Sequence, residues 1–188
     1  MEKKEIELLL HAIKSGSLEQ FEIIIDHYQQ PIFTYCYHML SHHQEAEVAV
    51  QEVLLHAYEH LEQYTTALSF SAWLYRIAHN YCGNVLKRRK LSRWLPFLYK
   101  QDHRGSVKEH IDRPNSEELL ERIWNRLSTE ERSLVFWRVL EEKEYEEIAE
   151  LLDKPPEALR KQFDRIMKKC KRYLPTMEGV AANGQKSV

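Results

Sequence analysis

At 188 residues, 43% hydrophobic, 30% charged and with a formal net charge of −2, the chain has the make-up of a soluble globular protein of one large or two small domains, not of a disordered segment. Its 5 Gly and 6 Pro are too few for a turn-dense sandwich or barrel, and the scattered glycines build neither a phosphate loop nor a dinucleotide fingerprint. No apolar run approaches the roughly 20 residues of a membrane span, the N-terminus reads as a poor signal peptide, and Cys36, Cys82 and Cys170 read as buried thiols of a reducing cytoplasm.

Nearly every segment predicts helix. Residues 3–14 are short and amphipathic, and Ser15-Gly16-Ser17 breaks them. Ser17 with Gln20 fits a capping box for a second helix carrying Phe21, Ile24, Ile25 and Tyr28. Pro31 kinks that element or divides it, and the pattern resumes through Ile32, Tyr35, Cys36, Met39 and Leu40. After Ser41-His42-His43 a third helix carries Ala46, Ala49, Val50, Val53, Leu54, Ala57 and Leu61 on one stripe. Residues 63–69 predict a loop that exposes Tyr64, with Ser69 capping a fourth helix from about Phe70 to Lys90. Phe70, Leu74, Ile77, Tyr81 and Val85 form its inner stripe, and Arg76, Asn80, Asn84 and Lys87 its polar one. Residues 92–114 lack a clean period and read as a flexible linker containing an apolar cluster, Trp94 to Tyr99. Asn115 with Glu118, then Ser128 with Glu131, cap two further helices. A short helix from Tyr145 to Leu152, a turn at Asp153-Lys154-Pro155, and a last helix from Pro156 to about Tyr173 follow; residues 175–188 read as a disordered tail. The expected fold is all-α: a first domain over 1–91, the linker, and a second domain over 115–174.

Charge alternates along this order. Residues 15–75 hold 8 acids and no Lys or Arg; residues 76–113 hold 10 Lys and Arg against 3 acids. Residues 114–152 reverse this, with 5 against 11, and residues 153–173 restore it, with 8 against 3. Two basic blocks suit two contacts with a polyanion, and acidic blocks suit a cationic protein partner. The last two helices have helix-turn-helix proportions, and the second presents Arg160, Lys161, Asp164, Arg165 and Lys168 outward, as needed to reach base edges and phosphates. The fourth helix ends in Lys87-Arg88-Arg89-Lys90, preceded by the aromatics Tyr58, Tyr64, Phe70, Trp73 and Tyr75, a combination suited to unstacked single strands.

Three segments in this order and spacing resemble a family: Glu45 to Tyr58, Phe70 to Asn80, and the helix-turn-helix ending Leu159-Arg-Lys-Gln-Phe-Asp-Arg165. Together they are similar to bacterial RNA polymerase sigma factors of the extracytoplasmic-function subfamily, over roughly residues 17–174. The resemblance implies a first domain that docks on core polymerase through Glu45, Gln51 and Glu52. It implies that Tyr64 and Thr65 lie in the loop that captures a flipped base of the minus-ten element. Arg76, Asn80, Asn84, Lys87, Arg88, Arg89 and Lys90 then hold that strand. Arg160, Lys161, Asp164, Arg165 and Lys168 take the positions that read the minus-thirty-five element. Core RNA polymerase, promoter DNA and an anti-sigma factor are the implied partners, with no membrane insertion. The implied setting is a cytoplasmic chain, on the nucleoid when active and held at the membrane by the anti-sigma factor when not, in a stress or envelope response.

The family pattern is broken at Val48-Ala49, where Asp-Leu is usual, and at Asp153 and Glu157-Ala158, where Gly and Gly-Thr are usual. These departures touch the docking contact and the promoter sequence rather than the role. Two other classes compete. One is a helix-turn-helix regulator acting on duplex DNA without polymerase. The remoter one is a helical metal enzyme, for which His38 and His42, or His56 and His60, have ligand spacing but lack a companion Glu-x-x-His. No catalytic residue, metal or cofactor is expected.

Overall fold

Amphipathic periodicity becomes helix throughout the computed structural model, which describes residues 3–99 and 116–173. Helix α1 (Lys3–Lys14) leads through a 3-10 turn (Leu18–Gln20) into α2 (Phe21–Leu40), α3 (His43–Glu59), a second 3-10 turn (Leu61–Gln63) and α4 (Phe70–Tyr99). The second domain comprises α5 (Ser116–Asn125), α6 (Thr129–Val135), a π-helical turn (Phe136–Leu140), α7 (Tyr145–Leu152) and α8 (Pro156–Lys171). No strand occurs among the described residues.

Several local expectations change. Ser17 forms no capping hydrogen bond, because the chain enters α2 through the 3-10 turn rather than a clean start. Pro31 lies inside an unbroken α2. Helix α4 continues past Lys90 to Tyr99, through Pro96, so the first third of the expected linker is helical. The side chains of the Trp94 to Tyr99 cluster, the Asn115 cap and the tail 175–188 lie outside the described residues. Other signals act as written. Ser128 and Glu131 form a reciprocal capping box, Pro156 opens α8, and Asp153 closes α7 in the left-handed conformation (φ 55°).

Helices α2, α3 and α4 pack on one another around Ile24, Ile32, Cys36, Ala49, Val53, Leu74 and Cys82, all shielded from solvent. The alanines at 46, 49, 57, 72 and 78 are fully buried, which lets these helix axes approach closely. The inner line of α4 is Phe70, Leu74, Ala78 and Cys82; Ile77, Tyr81 and Val85 of the expected stripe are half-buried flanks. The reason is that α4 is covered on two sides: α6 and α7 of the second domain pack on it opposite α2 and α3.

That seam between domains is a core in its own right. The Trp137 ring stacks on Tyr35 with centroids 5.6 Å apart and meets Tyr75 edge-on at 4.5 Å. Tyr35 hydroxyl and Ser133 Oγ share a 2.7 Å hydrogen bond, and His79 Nδ1 lies 2.9 Å from Ser133 Oγ. Trp124 Nε1 donates to the His38 carbonyl at 2.7 Å, and buried Arg132 donates to the Met39 carbonyl. The His38 and Met39 carbonyls, at the end of α2 where the helix offers no further partners, are thus capped by the second domain.

Candidate nucleic-acid interface

The basic face of α4 is built by helical phase. Asn80, Asn84, Lys87, Arg88 and Lys90 are all exposed along it. Arg76 and Arg89 are not free on that face. The Arg76 guanidinium pairs with the Asp153 carboxylate at 3.2 Å and donates to the Glu150 carbonyl at 3.4 Å. Its Nε is buried without a hydrogen-bond partner among the described residues. Arg89 pairs with the Glu45 carboxylate and donates to the Leu40 carbonyl at 2.8 Å. Glu45, expected to face polymerase, and Arg89, expected to face DNA, therefore join α3 to α4 and close the end of α2.

The loop before α4 corrects a second expectation. Tyr64 is only 8% exposed. Its ring packs edge-on against Phe70 and tilts over Trp73, and its hydroxyl donates to the Leu68 carbonyl at 2.9 Å. Burial pushes its phenol pKa up, with Glu7 and Glu150 adding to the effect. Tyr64 therefore holds the loop in shape, while Thr65, Thr66 and Ala67 form its exposed tip. Ser69 Oγ accepts from the Ala72 amide at 3.2 Å, capping α4 as expected.

On the second domain, α8 exposes Arg160, Lys161, Asp164, Arg165 and Lys168 along one face. Its other face buries Leu159 and Ile166 against α6 and α7. Arg160 is positioned by Glu146, 2.8 Å away, and by the Tyr145 ring beneath it. Gln51 and Glu52 are exposed on α3. Beside them an apolar groove of about 700 Å³ runs between α2 and α3, floored by Ile25, Leu54, Leu55 and Tyr58 and edged by Glu19 and Glu22. A second groove of about 790 Å³ crosses the seam, lined by Tyr37 and His38 of α2 and by Trp124, Leu127, Leu140 and Met167.

Sequence reasoning missed the groups that join the domains: Tyr35, His79, Arg132, Ser133, Glu150 and Asp153. For two of them a signal existed, since Arg132 and Ser133 stand one turn before Phe136 and Trp137 on the inward stripe. Burial lowers the His79 pKa below its usual value; Glu130 opposes this and Lys154 adds to it. The Lys154 hydrogen bond, at 2.6 Å, holds Glu130 below the ordinary carboxylate range. Cys36 and Cys82 are buried, and the hydrogen bond that the Cys36 thiol donates to Cys82, together with burial, pushes the Cys36 thiol up. The His56 and His60 rings stack at 4.0 Å, and no group of three metal-ligating side chains occurs among the described residues.

Comparison with known proteins agrees with this geometry. Residues 24–92 match the model of sigma-70 region 2, and residues 117–170 match that of sigma-70 region 4. The chain is 36% identical over 78 residues to the ECF RNA polymerase sigma factor SigW of Bacillus subtilis, a match covering 42% of each chain. It is 27% identical over 168 residues to the ECF RNA polymerase sigma-E factor of Haemophilus influenzae, covering 84% of this chain and 88% of the relative. Among solved structures, the sigma factor RpoE bound to the anti-sigma factor NepR from Bartonella quintana superposes with a TM-score of 0.59 at 15% identity, over 83% of this chain and 97% of that one. CnrH in complex with the cytosolic domain of CnrY gives 0.59 at 17%, over 89% and 95%. The two family models meet at the seam between the domains and each holds one exposed basic helix, so the chain belongs to the extracytoplasmic-function sigma factors of RNA polymerase, non-enzymatic subunits of transcription initiation.

Proposed function

We propose that this sigma factor grips its promoter at two places. The exposed face of α4, with the loop tip at Thr65, holds the melted minus-ten strand: Asn80 and Asn84 offer amides to bases, and Lys87, Arg88 and Lys90 neutralise phosphates. Helix α8 enters the major groove of the minus-thirty-five element, with Arg160 and Lys161 nearest its start. Exposed Gln51 and Glu52, beside the acid-edged apolar groove of α2 and α3, form the docking face for a basic, amphipathic segment of core polymerase. The observation that carries this reading is the presence of two exposed cationic helix faces, α4 and α8, on separate domains of one chain.

The solved neighbour RpoE is bound to the anti-sigma factor NepR, and CnrH to the cytosolic domain of CnrY. By that analogy an anti-sigma partner restrains this chain, and the apolar groove across the seam is its seat. A membrane-held anti-sigma protein then places the inactive factor at the inner face of the envelope, under the control of a stress signal. No helix of the described residues is itself long and apolar enough to cross a membrane.

The test is transcription by core polymerase reconstituted with the purified chain on a randomised promoter library. Defined start sites are expected, with Arg160→Ala relaxing choice at one upstream base pair at a cost of about 1–3 kcal/mol. Glu52→Lys weakens capture by core polymerase in a pull-down. A chain that binds core polymerase and yet confers no start-site choice overturns the reading.

A further inference from the structure

Arg132 is a buried cation without a counter-charge. It is 4% exposed, and among the described residues no carboxylate pairs with it. Its N–H groups donate to the Met39 and Trp124 carbonyls and to Asn125 Oδ1, all of them neutral acceptors. Burial penalises the charge, and the Arg89 guanidinium nearby adds to the positive potential, so both draw the Arg132 pKa below the usual arginine value. Buried charges in folded proteins are normally compensated, because an isolated one is costly to take out of water.

The space beside Arg132 can hold that compensation. A pocket of about 150 Å³ lies between α4 and the junction of α5 with α6, lined by Arg89, Lys90, Asn125, Ser128, Thr129 and Arg132. Among the described residues no acidic side chain lines it, whereas the pocket at Arg76 and His79 contains Glu130 and Asp153. Of the acids that touch its lining residues, Glu45 is held by Arg89, and Glu131 by the Ser128 amide and Lys169. Other donors there are uncommitted. The Lys90 ammonium and the Thr129 hydroxyl have no partner among the described residues, and Asn125 engages its carbonyl oxygen on Arg132, which leaves its amide N–H groups to donate. The volume is well below the about 300 Å³ at which pockets for whole small molecules begin.

We propose that this pocket is a phosphate site: inorganic phosphate, or the terminal phosphoryl group of a nucleotide, seats between Lys90 and Arg132 and takes hydrogen bonds from Thr129 and Asn125. A terminal phosphoryl group brings negative charge and three strong acceptor oxygens to a guanidinium, an ammonium, a hydroxyl and an amide. A carboxylate has only two oxygens for these donors. The base and sugar of a nucleotide exceed the pocket and stay in solvent, so recognition stops at the phosphate. Bound there, the anion joins α4 to α6, supplies the charge that Arg132 lacks, and stabilises the folded chain by linkage. The site concerns the free chain and a small ligand, and it stands independently of the two-point grip on the promoter.

The experiment is a thermal-shift titration of the free full-length chain. One arm uses sodium phosphate and a second uses ATP without divalent cations, each against sodium chloride at matched ionic strength. At about ten times the apparent Kd, melting temperature is expected to rise about 3–6 °C above the chloride control. Lys90→Gln and Thr129→Val each weaken binding about three- to tenfold, and Arg132→Met about tenfold or more. Lys171→Gln/Arg172→Gln, which removes two exposed cations outside the pocket, binds like the parent chain. A shift with phosphate identifies the free ion as the ligand, and a shift with ATP alone identifies the phosphoryl end of a nucleotide; either supports the site. It is overturned if neither arm exceeds chloride, or if the Lys171/Arg172 control weakens binding as much as Lys90→Gln does. Parental affinity in both Lys90→Gln and Thr129→Val also overturns it, and these two variants decide the matter if Arg132→Met does not fold.

Discussion

Arg132 offers the sharpest test of how the two domains are held. It is 4% exposed, and among the described residues no carboxylate pairs with it. Its Nη1 donates to the Met39 carbonyl of α2, Nε to the Trp124 carbonyl at 3.1 Å, and Nη2 to Asn125 Oδ1 at 3.2 Å. Burial, with Arg89 nearby, draws its pKa below the usual arginine value. Arg132→Met keeps the apolar stem and removes every donor. The buried Met39 carbonyl then loses its side-chain donor, at about 1–3 kcal/mol, whereas the Trp124 carbonyl keeps the Leu127 amide at 3.1 Å. Against this, the folded chain no longer desolvates a cation, which returns part of that cost. The expected net loss is about 1–2 kcal/mol, equivalent to a fall of about 2–8 °C in melting temperature for a chain of this size. Arg132→Ala loses about 1–2 kcal/mol more through the missing methylenes. Urea unfolding followed by far-ultraviolet circular dichroism gives both numbers. An Arg132→Met chain within about 0.5 kcal/mol of the parent would refute the account, because water would then be serving the carbonyls as well as the guanidinium does.

Other consequences follow from the same seam and its neighbours. His79 has a folded pKa below its unfolded one, so its contribution is complete above about pH 6.5 and is lost as pH falls toward the folded value. Melting temperature is expected to drop between about pH 7.5 and 5.5, with a shallower drop in His79→Asn; equal slopes would exclude His79 as the source. Ser128→Ala breaks the capping box of α6 and is expected to cost about 1 kcal/mol in the same urea assay. Cys170 is expected to react with a disulfide-exchange probe in the native chain, while Cys36 and Cys82 react only on unfolding; prompt labelling of all three thiols would show the core to be open.

Elements with strong amphipathic phase were legible in the sequence. The stripe Ala46, Ala49, Val53, Leu54 and Ala57 is buried as its spacing requires, and the Ser128 and Pro156 signals start helices where they stand. Local phase reports which face turns inward but not how many partners cover a helix. Helix α4 carries half-buried Tyr75 and His79 beside its main stripe because a second domain sits on it, a fact encoded about 60 residues later in Ser133 and Trp137. Tyr64 misled for a related reason: loop membership suggests exposure, but Phe70 and Trp73, both in the first turn of α4, roof it over. Glu45 and Arg89 each carried the right charge for an external partner and are spent on each other. The outward residues of α8 could be read correctly, since they are exposed and no element among the described residues covers that face.

The π-helical turn from Phe136 to Leu140, closed by the Glu141 amide on the Phe136 carbonyl at 3.0 Å, accommodates one residue more than an α-helical turn would. That surplus sets the angular offset of everything downstream. Removing one residue there would let the segment rewind as ordinary α-helix, swinging α7 and α8 by about 100° around the α6 axis. Every helix would survive such a deletion, but the exposed cationic edge of α8 would face a new compass bearing. Chain length in this short stretch is therefore a geometric variable, constrained independently of which amino acids fill it.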